Sequence, residues 1–261
     1  MVDKLRHKLY NCYMKNIRPT FRDSTNIRLP IPIYDVLVRD AFYFGFTKNG
    51  KANINGLLND LIPCLSDYRE NLHLQLLKYT RGAKELTARV EDCIYNVYLR
   101  EKFFLNEGRA SVSFRVSKDH YDDFLQIHDE LLNKYHLDFT NYIRTLLSEY
   151  ATAPSYRREQ FYHYRKVTKI NNAIEKQTLC RFYLQDGATR EFVVVSVEVS
   201  TTSRRCYVAG LTMNSEPTAF PLSDLTKMTR ISDGRSFSEH DRKTLYQYLI
   251  DLYNLEEICL D

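Results

Sequence analysis

The chain has no tryptophan, only eight glycines and seven prolines among 261 residues, and no strong excess of charge of either sign. Each absence excludes something. No glycine-rich loop is present to cradle phosphates, and neither H-E-x-x-H nor G-x-S-x-G occurs, so the common hydrolase and protease chemistries have no carrier. Six cysteines (Cys12, Cys64, Cys93, Cys180, Cys206, Cys259) form no C-x-x-C pair. That spacing argues against a zinc site or a disulfide framework and for reduced thiols in a cytoplasmic protein. Seven histidines are dispersed, and a helix would point consecutive His128, Asp129 and Glu130 in different directions. No apolar run reaches the length of a membrane span, and Met1 to Arg22 is too charged for the apolar part of a signal peptide. The expectation is a non-enzymatic cytoplasmic protein without metal or cofactor.

With 37 Lys+Arg against 33 Asp+Glu the net charge is only +4, so any polyanion site must be a local patch. Tyrosine is abundant, at 20 residues, with 14 phenylalanines. A tyrosine ring buries area while keeping a polar tip, which suits both cores and wet interfaces. The length points to about two domains.

Periodicity organises the chain. Asp3 to Asn16 reads as a basic amphipathic helix. Ile27, Leu29, Ile31 and Ile33 alternate as in a strand, with Pro30 and Pro32 restricting it to an edge. A helix is expected over 34–46, a turn at Lys48-Asn-Gly-Lys51, and a second helix from about Asn53. Val112, Phe114 and Val116 alternate again, Ser117 caps a helix over 118–135, and Thr140 caps another reaching Tyr150. The same offset of 85 residues separates Ile27 from Val112 and Ile54 from Phe139. It marks an internal duplication of a strand-helix-helix unit. A linking helix is expected over 82–104. After Gln177 the texture turns to short strands with an Asp186-Gly187 hairpin turn, which suggests a small closed barrel. A final helix over 239–254 opens with Ser238 and Asp241 as a capping pair. The expected segments are 1–154, a connecting basic-aromatic helix over 155–178, and 179–261.

The connecting segment, Ser155 to Lys169, interleaves tyrosines with arginines and lysines. Planar rings stack on bases and cations neutralise phosphates, so such a surface suits single-stranded nucleic acid. Taken as one continuous helix, it buries Phe161, Tyr164, Val167, Ile170 and Ile174. The opposite face then shows Arg158, Tyr162, Arg165, Lys166 and Lys169, with Tyr162 the ring exposed among cations. Arg181, Tyr183, Arg190, Arg204, Arg205 and Tyr207 form a second basic-aromatic set on adjacent strands.

The twice-used strand-helix-helix pattern resembles the ribbon-helix-helix fold, with Thr140-Asn-Tyr-Ile143 like that family's second helix. Its base-reading positions here would be Arg28, Pro30 and Pro32 with Ser111, Ser113 and Arg115. Prolines carry no donor for base edges, which favours a scaffold role. Ile170 to Ile231 resembles a WYL domain, a small SH3- or Sm-like barrel. Cys206-Tyr207-Val208 stands at the name-giving Trp-Tyr-Leu, and Phe220-Pro-Leu222-Ser-Asp-Leu225 at a second family stretch. The combination is similar to WYL accessory proteins of RNA-targeting type VI CRISPR systems. That resemblance implies an α+β chain, homodimeric, that binds single-stranded RNA and enhances an RNA-guided CRISPR effector. The rival expectation is a DNA-binding transcriptional regulator whose WYL domain senses a ligand.

Overall fold

The computed structural model describes residues 25–90, 109–130, 139–200 and 202–253. The N-terminal basic helix, most of the linking helix, the end of the 118–135 helix and Cys12, Cys93 and Cys259 lie outside the described residues. Chain order begins with strand β1 (Thr25–Pro30), helix α1 (Ile31–Tyr43), hairpin strands β2 (Thr47–Lys48) and β3 (Lys51–Ala52), and helix α2 (Ile54–Tyr79). Strand β4 (Arg109–Phe114) follows, then a 3-10 turn (Lys118–His120) and helices α3 (Tyr121–Glu130) and α4 (Phe139–Thr152).

β1 and β4 pair antiparallel with Ile27 opposite Val112 and Leu29 opposite Ala110. Alternation does the sorting: Ile27, Leu29, Val112 and Phe114 are buried, while Asn26, Arg28, Ser111 and Ser113 face out. β1 ends at Pro30 and not at Ile33, and α1 starts at Ile31. The proline at the helix start explains the shift. In the first turn backbone N–H groups have no intrahelical acceptor, so a residue lacking one is tolerated there. Asn49 and Gly50 both hold positive φ (53° and 73°), as a two-residue hairpin turn requires. The Asn53 side chain caps α2 by accepting from the Gly56 amide at 3.0 Å. α2 and α4 start at Ile54 and Phe139, the same offset that separates Ile27 from Val112. Buried Asn59 fastens the β4 exit to α2: its amide donates to Arg115 O (3.0 Å) and its carbonyl accepts from Ser117 N (2.8 Å).

The connecting segment is two helices, α5 (Ser155–Tyr162) and α6 (Tyr164–Glu175), broken at His163, whose φ and ψ are −95° and 23°. α5 adds Phe161 and Tyr162 to the core of the N-terminal helices. α6 adds Ile170 and Ala173 to a separate core beneath the C-terminal strands.

Those strands are β5 (Thr178–Leu184), β6 (Thr189–Val199), β7 (Cys206–Leu211), β8 (Pro217–Pro221) and β9 (Leu225–Asp233). They form one antiparallel sheet in the order β8-β7-β6-β5-β9. The sheet is not closed: β8 and β9 are joined by a 3-10 turn (Leu222–Asp224) but remain the two edges. Pro217 and Pro221 bracket β8 and remove two ladder donors, which suits an edge strand. β7 is buried on both faces. Val208 packs with Phe182, Phe192 and Phe220 over α6, while Ala209 and Leu211 pack under the last helix, α7 (Glu239–Tyr253), through Leu245 and Leu249. Ser238 and Asp241 cap α7 reciprocally: Asp241 N donates to Ser238 Oγ (3.1 Å) and Ser238 N to Asp241 Oδ2 (3.0 Å). No helix among the described residues is long and apolar enough to cross a membrane.

Candidate nucleic-acid interface

The break at His163 decides which side chains reach the surface. It resets the helical phase, so a face drawn through 155–178 as one helix mixes two orientations. Arg158 is not an outward cation. Its Nε and Nη2 form a forked pair with Asp40 (2.6 and 3.1 Å), and its Nη1 donates to Ala153 O (2.8 Å). The fully buried Tyr150 hydroxyl donates to the same carboxylate at 2.6 Å. Tyr162 is not the exposed ring either. It stacks on Phe44 with centroids 4.0 Å apart, and burial, foremost, lifts its hydroxyl pKa well above the ordinary range. Lys166 turns inward and donates from Nζ to Leu225 O at 2.5 Å, with its pKa lowered by burial. Tyr207 is 7% exposed and packs against Tyr253. Arg165 and Lys169 do face solvent, the first paired with Asp67 at 2.7 Å.

His163 is buried, and its Nε2 has no hydrogen-bond partner. Burial, and secondarily the Lys166 charge, pulls its pKa from 6.5 down to about 3. The folded state therefore keeps the imidazole neutral where the unfolded chain protonates it. His163's contribution is fully present above about pH 6.5 and is lost as pH falls toward 3, on the order of a few kcal/mol in total. Glu159, raised by burial, acts with the opposite sign, so the variant is compared with the parent at each pH. His163→Phe flattens the acid side of the stability profile by at least about 1 kcal/mol between pH 7 and 4, read from urea midpoints. Parallel profiles would contradict this reading.

The remaining predicted residues separate into two surfaces. On the outer sheet face, Arg181 and Tyr183 of β5 lie beside Glu191 of β6 and Lys227 of β9. Arg181 pairs with Glu191 at 2.6 Å, and the Lys227 ammonium lies 5.6 Å from the Tyr183 ring centroid. The Arg181 hydrogen bond lowers the Tyr183 pKa. Arg190, also exposed, is tied to β8 through Ala219 O at 2.6 Å. Arg204 and Arg205 follow the far end of β6, about 25 Å of extended chain away. The basic-aromatic strand set is therefore not one patch.

The second surface forms where α1, α5 and the β6–β7 loop meet. Glu159 organises it from beneath. One carboxylate oxygen accepts from Cys206 N (2.8 Å) and the other from the Tyr43 hydroxyl (3.3 Å). The loop is held further by Ser155 Oγ to Arg204 O (3.5 Å) and Cys206 Sγ to Tyr156 O (3.4 Å). This scaffold sets the Arg205 guanidinium 5.1 Å from the Tyr43 ring centroid. Tyr43, Tyr156, Phe42, Arg204 and Arg205 are all exposed. Neither arginine has a carboxylate within ion-pair distance among the described residues. Arg204 sits at φ 54°, a left-handed conformation uncommon outside glycine and found at functional loops. Two exposed cations without a direct ion pair, one of them over an exposed ring and within electrostatic reach of Glu159, can hold a phosphate and stack a base. Tyr156 belongs to the basic-aromatic segment of the sequence, whereas Phe42 and Tyr43 were not among the expected site residues. Phe42 and Tyr43 lie in Ala41-Phe-Tyr-Phe-Gly-Phe46, which has a faint likeness to an RNA-recognition strand with exposed aromatics, but its place inside the first repeat favours a packed helix.

No protein-family model matches the chain, and no curated protein matches it in sequence. In fold it is similar to a solved structure described as a CRISPR Cas-related protein, with a TM-score of 0.53 and 14% identity over 90% of this chain and 68% of that one.

Proposed function

We propose that this chain is a non-enzymatic accessory protein that binds single-stranded RNA and positively modulates an RNA-guided, RNA-targeting CRISPR ribonuclease, acting as a homodimer. In this reading the paired ribbon with its two helix pairs is a ribbon-helix-helix scaffold. The open five-stranded sheet with its covering helices is a divergent WYL domain of SH3- or Sm-like type. The observation that carries the reading is the Arg204–Arg205–Tyr43 surface, two exposed cations beside an exposed ring that one buried carboxylate holds in place. The likeness in fold to a CRISPR Cas-related protein supports the association with such systems.

Labelled single-stranded RNA, single-stranded DNA and duplex DNA, titrated at two salt concentrations, test the proposal. Single-stranded RNA binds most tightly, and its affinity falls as salt rises. Preference for a defined duplex would instead support the DNA-binding regulator, for which the exposed Arg28 on the ribbon is the favourable feature.

A further inference from the structure

A polar groove lies between α2 and the α5–α6 pair, apart from the Arg205–Tyr43 surface. The groove encloses about 510 Å³, within the range of small-ligand sites. At its α5 end Arg157 lies over two rings, 5.7 Å from the Tyr68 centroid and 5.1 Å from that of Phe161. Its hydrogen bonds go to neutral groups only, Gln160 Oε1 (2.8 Å) and the Tyr68 hydroxyl (3.4 Å). Among the described residues no carboxylate is within ion-pair distance of it, so its charge is positioned but not neutralised. Tyr68 and Tyr164 meet edge to face in the wall, centroids 5.7 Å apart. At the α6 end the wall carries Asn171, Asn172 and Glu175. Both asparagines are exposed, and neither side-chain amide bonds to another described residue.

We infer that this groove is a subsite for one unstacked adenine nucleotide. Its polarity orients the occupant. Arg157 takes the 5′-phosphate, the tyrosine pair forms the wall on one side of the base, and the asparagine amides read the base edge. An amide presents a donor and an acceptor side by side, which matches the N6 amino group and N7 of adenine. Glu175 accepts from an exocyclic amino group and repels the carbonyl oxygens of uracil. The nucleotide belongs to an RNA strand if the RNA-binding reading holds, on which this inference rests. Free adenosine monophosphate carries the same chemistry.

The full chain is titrated with fluorescent (rA)5, with (rU)5 and with adenosine monophosphate at low salt, as the parent, as Asn171→Ala with Asn172→Ala, and as Arg157→Ala. The parent prefers (rA)5 by about fivefold or more, and the asparagine pair removes that preference while (rU)5 affinity stays within about twofold. Arg157→Ala weakens both oligomers alike. Unchanged affinity and preference in the asparagine variant overturn the subsite and leave RNA binding standing. Binding of adenosine monophosphate, lost in that variant, without any RNA binding keeps the subsite and overturns the RNA reading. Binding of neither ligand by the parent overturns both.

Discussion

Asp40→Ala lowers the free energy of unfolding by about 3–5 kcal/mol. Asp40 lies on the buried stripe of α1 with Ile33, Val36, Leu37 and Ala41, and is itself only 6% exposed. Its carboxylate accepts three hydrogen bonds, two from Arg158 and one from Tyr150. Removing it leaves a guanidinium and a phenol buried without their acceptor, and the desolvation of the orphaned charge dominates the loss. Arg158→Met in the Asp40→Ala background recovers most of the stability, because replacing both partners by apolar groups removes the unpaired charge. Urea denaturation of the parent, both single variants and the double variant closes the cycle. A loss under about 1 kcal/mol for Asp40→Ala, or no recovery in the double variant, would contradict the assignment. The pair also anchors α5, whose next residue, Glu159, holds Tyr43 and the Cys206 amide in place.

Arg204→Ala combined with Arg205→Ala weakens single-stranded RNA binding roughly tenfold at about 50 mM salt. Both side chains are exposed and neither is ion-paired to a described residue, so the fold loses little when they are removed. The loss is electrostatic and independent of base identity, because arginines that meet phosphates position the strand without reading it. Tyr43→Ala acts differently: it removes a stacking platform, about 1–3 kcal/mol per base, and leaves the salt dependence unchanged. Affinity is read by fluorescence anisotropy, and the melting temperature of each variant shows that the fold is kept. A double variant that binds as the parent does would remove this surface from the site.

Much of the scaffold was written in local chemistry. The facing of Ile27 and Val112, the Asn49-Gly50 turn and the Ser238/Asp241 cap follow from alternation, positive-φ tolerance and orphan helix donors. The surface was harder to read because it depends on where one helix stops. His163 carries no proline or glycine signal, so a helical phase drawn through it exposes Tyr162 and Lys166, which are in fact packed. A signal for the buried pair did exist: Asp40 sits at a core position of an amphipathic helix, and a carboxylate there demands a cation. Sequence distance hid which cation, since Arg158 lies 118 residues away. β8 carried its own notice too, as prolines at both ends favour an open edge over a closed barrel.

The proposed contact of Arg204 and Arg205 with RNA phosphates is read from the salt dependence of binding. The logarithm of the association constant is plotted against the logarithm of salt concentration for the parent and for Arg204→Ala with Arg205→Ala. Each phosphate contact on a single strand contributes about 0.7 to the slope, so the double variant's line is shallower by about 1.4. Two parallel lines would contradict the account.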